Sequence, residues 1–218
     1  MGSRSDQKAA TRESILLAAA QQFAEHGYAA TSISGIATQM GKPKSALSYS
    51  QFRSKLDIAN TIVERQLEVW KVLIERVERV EHAEPGLPRL LTLLVSAAAD
   101  ARTSPFGPAA IRLVLESHEH HLFELPYTGQ SWFEYAYAQV GEAVALGQLP
   151  PATDPREVGY LILSASFGVY EANKNGFRLV DPDRALRMLW TGLLREAGVA
   201  DPAAIVDVVH VVALDVEY

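Results

Sequence analysis

The sequence contains no cysteine among its 218 residues. This absence excludes a disulfide framework, a thiolate metal site and a thiol nucleophile. Long hydrophobic runs are also missing, since residues 160–170 are interrupted by Ser and Gly and a bilayer span needs roughly 20 apolar residues. The polar N-terminus has no apolar segment of the kind found in secretory signals. We therefore expect a cytoplasmic protein with no membrane span and no cofactor.

Alternating β-branched runs bounded by hairpin turns are absent as well. Apolar residues instead recur at spacings of three and four, which is typical of amphipathic helices. We predict an all-α fold, in which residues 118–129 form a loop or a frayed helix. Besides two short helices between residues 31 and 52 and another ending near residue 116, helices are predicted at about residues 6–26, 54–81, 88–102, 131–146, 154–175, 182–196 and 202–214. The first of these has an apolar stripe and a stop at Gly27; the stripe consists of Ile15, Leu16, Ala19, Ala20 and Phe23. Asp154-Pro155 and Asp181-Pro182 predict helix starts, because each combines an Asp cap with a proline at the first helical position.

Charge is distributed unevenly along the chain. Residues 1–56 hold seven basic and three acidic side chains, a net charge of +4, so the remainder of a chain with net charge −6 carries −10. A basic segment concentrates attraction for phosphates, and an acidic remainder disfavours indiscriminate adsorption to nucleic acid. We predict a DNA-binding domain at residues 1–55 and a second helical domain at residues 56–218, joined by the long helix that begins near Ser54.

Two short helical patterns separated by Gly41 lie between Thr31 and Lys55. A capped first helix, a Gly turn and a second helix that opens with cationic and hydroxyl residues form the layout of a DNA-reading helix-turn-helix. Such side chains contact phosphates or base edges. The candidate DNA contacts are Thr31, Ser32, Lys42, Lys44, Ser45, Ser48, Tyr49 and Lys55.

The first 56 residues resemble the TetR family of transcriptional regulators. The resemblance rests on Arg12, Ile15, Leu16, Ala19, Phe23, Gly27, Tyr28, Thr31, Ile36, Ala37, Gly41, Lys44, Ala46, Leu47, Tyr49, Phe52, Ser54 and Lys55. It implies a homodimeric repressor that binds a pseudo-palindromic operator in double-stranded DNA and is released by a small hydrophobic effector. One departure from the family's commonest pattern is the extra residue between Leu47 and Phe52, which rotates the subsequent residues by about 100° on a helix.

The C-terminal part is similar to the γ-butyrolactone receptor subgroup. The matching features are Gln66, fourteen residues after Phe52, and Leu125-Pro126-Tyr127 followed by Trp132. The resemblance implies that Trp132 lies over the ring of a lactone effector and that Gln66 hydrogen-bonds it. Core packing of Trp132 and a surface position for Gln66 are the alternatives. The alternative to a lactone is another hydrophobic effector, such as an antibiotic.

Further candidates for the effector site are apolar or hydroxyl-bearing residues at helical spacing, which is also the pattern of core residues. They are Phe106, Ile111, Val114, Leu115, Tyr135, Leu163, Ser166, Phe167 and Tyr170.

The helices predicted at residues 154–175 and 182–196 resemble the family's four-helix dimer interface. Small residues on the first helix let a partner helix approach closely, and large apolar residues on the second supply buried surface. Packing within one protomer is the alternative. The candidate interface residues are Leu161, Ala165, Gly168, Ala172, Leu186, Leu189, Trp190 and Leu193.

The run His118-Glu119-His120-His121 invites comparison with a metal site. On a helix, however, residues 118 and 121 share a face and residue 120 does not. The histidines and serines also match no catalytic motif. We expect no bound metal and no enzymatic activity, with a metal-dependent helical hydrolase as the remote alternative.

Overall fold

The computed structural model describes residues 4–43, 51–79, 83–120, 130–177 and 179–214. The regular secondary structure in these ranges is helical, which confirms the predicted all-α fold. The described helices are α1 (Arg4–Ala30), α2 (Ile33–Gln39), α3 (Lys55–Val77), α4 (Leu87–Thr103), α5 (Gly107–His120), α6 (Gln130–Ala145), α7 (Pro155–Lys174), α8 (Pro182–Glu196) and α9 (Pro202–Asp207). In the part of the chain that these helices cover, none is long and apolar enough to cross a membrane.

The predicted Asp-Pro starts of α7 and α8 are confirmed, and α9 begins in the same way. The side chains of Asp154, Asp181 and Asp201 each accept a hydrogen bond from a backbone amide in the first helical turn. The proline that follows lacks an N–H at a position where a helix offers that group no partner. Local sequence therefore determines where these three helices begin.

The ends of two helices differ from the prediction. Helix α5 continues to His120, past the residue at which a loop was expected. Helix α9 ends at Asp207, although the apolar pattern predicts helix to residue 214. Residues 208–212 are rich in valine, whose β-branched side chain is restricted in a helix, and the Val212 amide donates to Ser96 Oγ at 2.9 Å. A tertiary hydrogen bond thus replaces a helical one.

The described helices form two compact units. The first unit lies within Met1–Trp70 and Asp100–Gly129, and the second lies within Lys71–Ala99 and Gln130–Asp215. Helices α3 and α4 each contribute one end to each unit. The first unit is larger than the predicted DNA-binding domain of residues 1–55, because α5 packs along α1.

In the first unit α1 packs against both α2 and α5. The predicted apolar stripe of α1 is buried, and it consists of Ile15, Leu16, Ala19, Ala20 and Phe23. The helix is interrupted at Gly27, where φ is +78° and ψ is 179°. That conformation is essentially restricted to glycine, so the predicted helix stop becomes a sharp break within α1.

In the second unit α6 packs on α7, α7 on α8 and α8 on α9. The larger of two core clusters takes residues from α4 and α6 to α8, among them Leu91, Val140, Leu163 and Trp190. A smaller cluster contains Leu73, Val77, Ala83, Leu93 and Val212.

Candidate nucleic-acid interface and effector-site residues

Helix α2 has the two ends that a helix-turn-helix requires. Ser32 Oγ accepts a hydrogen bond from the Gly35 amide at 3.0 Å. Past the other end, Gly41 has φ +65°, and the Lys42 amide donates to the Ala37 carbonyl at 3.0 Å, which is the pattern of a glycine-terminated helix. Ser32 and Lys42 are exposed on either side of α2. Both remain candidate DNA contacts.

The predicted recognition helix covers residues 42–52, of which residues 44–50 lie outside the described residues. The roles of four candidate DNA contacts therefore stay predictions: Lys44, Ser45, Ser48 and Tyr49. The chain immediately after this segment is held by Arg12 on α1. Arg12 Nη1 donates to the Gln51 carbonyl at 2.6 Å, and its guanidinium carbon lies 4.0 Å from the centre of the Phe52 ring. The sequence pattern includes Arg12 but does not reveal this role.

Two candidate DNA contacts have their polar atoms engaged inside the protein. Thr31 is buried, and its hydroxyl donates to the Gly27 carbonyl at 2.7 Å. Lys55 Nζ donates to the carbonyls of Tyr28 and Thr31 at 2.7 and 2.8 Å, and it lies 4.2 Å from the centre of the Tyr28 ring. Burial lowers the pKa of Lys55, and the carboxylate of Glu116 raises it. We therefore correct Thr31 and Lys55 from DNA contacts to residues that hold the connection between α1 and α2.

Gln66 belongs to a buried polar cluster in the first unit and is 1% exposed, which excludes a surface position. Its Nε2 donates to Asp100 Oδ2 at 2.8 Å, and its Oε1 accepts from the Ser104 hydroxyl at 2.8 Å. Burial raises the pKa of Asp100, whereas the hydrogen bond from Gln66 lowers it. Both ends of the Gln66 amide thus have partners within the protein, and a bond to an effector stays a prediction.

Ser104 connects this polar cluster to α5. Its Oγ accepts hydrogen bonds from the amides of Phe106 and Gly107 at 3.2 and 3.0 Å. These amides belong to the start of α5, where backbone donors have no helical partner. Gln66 therefore stabilises the start of α5 through Ser104.

The other candidate effector residues of the first unit lie on α5 or just before it. Phe106 is buried, and the guanidinium carbon of Arg65 lies 4.4 Å from its ring centre. Val114 is buried, Ile111 is half-buried and Leu115 is exposed.

In the second unit Trp132 and Tyr135 are half-buried, three residues apart on α6, and both pack against the two core clusters. The Tyr135 hydroxyl is buried and has no hydrogen-bond partner among the described residues. Burial and the nearby Glu78 charge raise the pKa of Tyr135. Trp132 thus takes part in core packing, and its contact with an effector stays a prediction.

The remaining candidate effector residues lie on α7. Leu163 is in the core, whereas Phe167 and Tyr170 are half-buried. Burial raises the pKa of Tyr170 to about 12. The Ser166 hydroxyl donates to the Ile162 carbonyl at 2.7 Å and accepts from the Trp190 indole at 3.0 Å. The polar group of Ser166 is therefore engaged within the second unit.

The candidate dimer residues fall into a buried group and a group that is exposed or half-buried. Leu186 and Trp190 are buried in the core of their own protomer, so both are corrected from interface to core residues. The apolar positions of α8 extend around more than one face, and the sequence does not show which face is buried. Met188, absent from the candidate set, is 62% exposed. The candidates that are exposed or half-buried are Leu161, Ala165, Gly168, Ala172, Leu189 and Leu193.

The histidine run lies at the edge of the described chain. The side chains of His118 and His120 are not described, and His121 is outside the described residues. Among the side chains that are described, no group of three or more His, Asp and Glu could hold a metal ion.

Comparison with known proteins supports the helix-turn-helix. Residues 15–62 match the family of bacterial regulatory proteins called the tetR family. No curated protein matches the chain significantly.

Several solved structures share the fold over most of the chain. A γ-butyrolactone receptor described as ArpA-like is 24% identical, covers 93% of this chain and 96% of its own, and has a TM-score of 0.73. The TetR family protein CprB from Streptomyces coelicolor A3(2) is 26% identical, with coverages of 91% and 95% and a TM-score of 0.73. CprB in complex with its biological operator sequence is 25% identical, with coverages of 93% and 96% and a TM-score of 0.73.

The position of Lys55 generates a testable prediction. Replacement by Met keeps most of the apolar stem but removes two charged hydrogen bonds, so we expect Lys55→Met to reduce the free energy of unfolding by about 1–3 kcal/mol. The exposed Lys42 provides the control, and Lys42→Met should stay within about 0.5 kcal/mol of the wild type. Urea unfolding followed by circular dichroism measures both. Equal stability of the two variants would contradict the assignment of Lys55.

Proposed function

We propose that this chain, a transcriptional regulator of the TetR type, is a ligand-responsive repressor that binds a pseudo-palindromic DNA operator as a homodimer. A small hydrophobic effector releases it from the operator. The observation that carries this proposal is the combination of a tetR-family segment at residues 15–62 with whole-chain structural similarity to CprB and to a γ-butyrolactone receptor. The repressor acts without a chemical step.

The basic N-terminal segment supplies the proposed DNA contacts. Ser32 and Lys42 are exposed at the two ends of α2, and the predicted recognition helix that follows carries Lys44, Ser45 and Ser48. One of the similar solved structures is that of CprB in complex with its biological operator sequence. In a dimer, two recognition helices spaced by about 34 Å would enter successive major grooves.

The exposed apolar residues of α7 and α8 form the proposed dimer interface. Leu161, Met188 and Leu189 are large apolar side chains with more than two fifths of their surface exposed. Gly168 and the half-buried Ala165 on α7 leave room for a partner helix. Removal of such apolar surface from water is favourable by about 25 cal/mol per Å², and this gain offsets part of the freedom that two protomers lose on association.

The proposed effector is a γ-butyrolactone with an alkyl substituent. Trp132 would contact its ring, and the half-buried aromatic residues Tyr135, Phe167 and Tyr170 would contribute apolar surface. The effector acts through its different affinity for the DNA-binding and released conformations.

DNA binding is tested by selection from a random-sequence pool of duplexes, which should yield a pseudo-palindrome. Lys44→Ala should weaken binding to the selected duplex at least about tenfold and reduce the slope of log affinity against log salt by about 1. Lys174→Ala, at an exposed site on α7, should leave affinity and slope unchanged. Failure of the wild-type protein to enrich any duplex would refute the proposed function.

The effector site is tested by adding an alkyl-substituted γ-butyrolactone to the protein bound to the selected duplex. Wild-type protein should dissociate, and Trp132→Ala should need at least about tenfold more lactone because it loses aromatic contact area. Phe177→Ala, at a residue that is 76% exposed, serves as the control. Release by an antibiotic and not by the lactone would identify the antibiotic as the effector. A normal lactone response in Trp132→Ala would reject the assigned role of Trp132.

The dimer interface is tested by placing a charge at either of two exposed leucines. Leu189 on α8 is 42% exposed, and Leu146, which follows α6, is 53% exposed. An unpaired charge buried in an interface is strongly unfavourable, so Leu189→Arg should be monomeric and Leu146→Arg dimeric in sedimentation velocity. The opposite result would place the interface elsewhere.

A further inference from the structure

Side chains from α5 fill the break in α1. Glu116 Oε2 accepts a hydrogen bond from the Tyr28 amide at 2.6 Å. A Cβ atom on Gly27 would overlap the Glu116 carboxylate. Gly27 is therefore needed both for its backbone conformation and because the carboxylate occupies the space of a side chain.

Arg112, one turn before Glu116, holds the other side of the same break. Its Nε donates to Glu116 Oε1 at 2.8 Å, and its Nη1 donates to the carbonyls of Ala24 and Glu25 at 3.1 and 3.0 Å. A guanidinium at the C-terminal end of a helix satisfies unpaired carbonyls and interacts favourably with the helix dipole. One helix thus provides the anion for the amide after the break and the cation for the carbonyls before it.

The segment from Gly27 to Thr31, which leads into α2, is also held by Lys55 at the start of α3. Lys55 donates to two carbonyls in this segment, whereas Glu116 accepts from one of its amides. Side chains from two other helices therefore fix the direction in which the chain enters α2. The helix-turn-helix does not set this direction by itself.

Helix α5 also carries Ile111, Val114 and Leu115, which are candidate effector residues, next to Arg112 and Glu116. Its first turn is capped by Ser104, whose hydroxyl donates a hydrogen bond to Gln66. A displacement of α5 changes the position of the Glu116 carboxylate directly, because a helix of 14 residues moves as a nearly rigid body.

We infer that Glu116 and Arg112 are positioning residues that couple α5 to the DNA-binding segment, so that displacement of α5 by an effector reorients α2. This inference rests on the proposed function. Neither residue contacts DNA or effector in this scheme. Their effect is exerted on the α1–α2 connection.

Allosteric coupling is reciprocal, so the inference can be tested without an identified effector. The probe is the duplex that the wild-type protein selects from the random pool. Hydrogen exchange is measured by mass spectrometry with fragmentation that resolves residues 28–31 and 107–117, in free and DNA-bound protein. In the wild type, DNA binding should slow exchange in α5 at least about threefold.

Glu116→Ala should remove this long-range slowing while the variant still binds the duplex, and it should accelerate exchange of the Tyr28 amide at least about tenfold. Glu116→Gln keeps an acceptor and should have intermediate effects. It also serves as the test if Glu116→Ala does not fold. Glu157→Gln, at an exposed carboxylate on α7, should match the wild type in every measurement.

The experiment distinguishes failure of the proposed function from failure of the coupling between α5 and the DNA-binding segment. No duplex selected by the wild-type protein rejects the proposed function, whereas DNA binding without a response in α5 rejects the coupling alone. An α5 response that persists undiminished in the Glu116 variants shows that other contacts carry it and overturns the inference. Thermal unfolding of each variant separates coupling from stability, because a merely structural role would lower the melting temperature and leave the response to DNA intact.

Discussion

The first unit depends on a single backbone conformation, the break of α1 at Gly27. With φ +78° and ψ 179°, this residue ends one hydrogen-bonded helix and exposes carbonyls before the break and an amide after it. Such groups are costly to bury without partners. The fold supplies those partners from distant parts of the sequence: Arg112 and Glu116 on α5 and Lys55 on α3. The geometry of the helix-turn-helix is therefore a property of the whole unit.

The buried polar cluster of Gln66, Asp100 and Ser104 has an analogous role at the start of α5. A buried carboxylate is unfavourable unless it is hydrogen-bonded, and the Gln66 amide donates to Asp100 at 2.8 Å. The other end of the same amide accepts from Ser104, which caps α5. A side chain that binds at both ends fixes α3, α4 and α5 in one arrangement. An apolar residue at position 66 would not specify that arrangement.

The parts of the fold that the sequence predicts are those determined within one or two helical turns. The apolar stripe of α1, the Asp-Pro starts of α7 and α8 and the Gly41 turn all follow from local spacing and backbone preference. The burial of Trp190 does not, because α8 has apolar residues on more than one face. The role of Lys55 cannot be predicted from its neighbours in the sequence either. An ammonium near a helix-turn-helix resembles a phosphate contact until the carbonyls that it binds, 24 and 27 residues away, are placed beside it.

Glu116 is another residue whose role depends on a contact that is distant in sequence, since 88 residues separate it from the amide that it binds. Its sequence context, a carboxylate four residues after an arginine on a helix, indicates only an intrahelical ion pair. The side chain is 18% exposed, so the contact with Tyr28 is partly shielded from water and salt. A hydrogen bond to a charged group contributes about 1.5–3 kcal/mol, and allosteric coupling between two sites is typically about 1–3 kcal/mol. One carboxylate–amide contact that is made in one conformation and lost in the other is thus large enough to carry a ligand response, and no extensive repacking of the core is required.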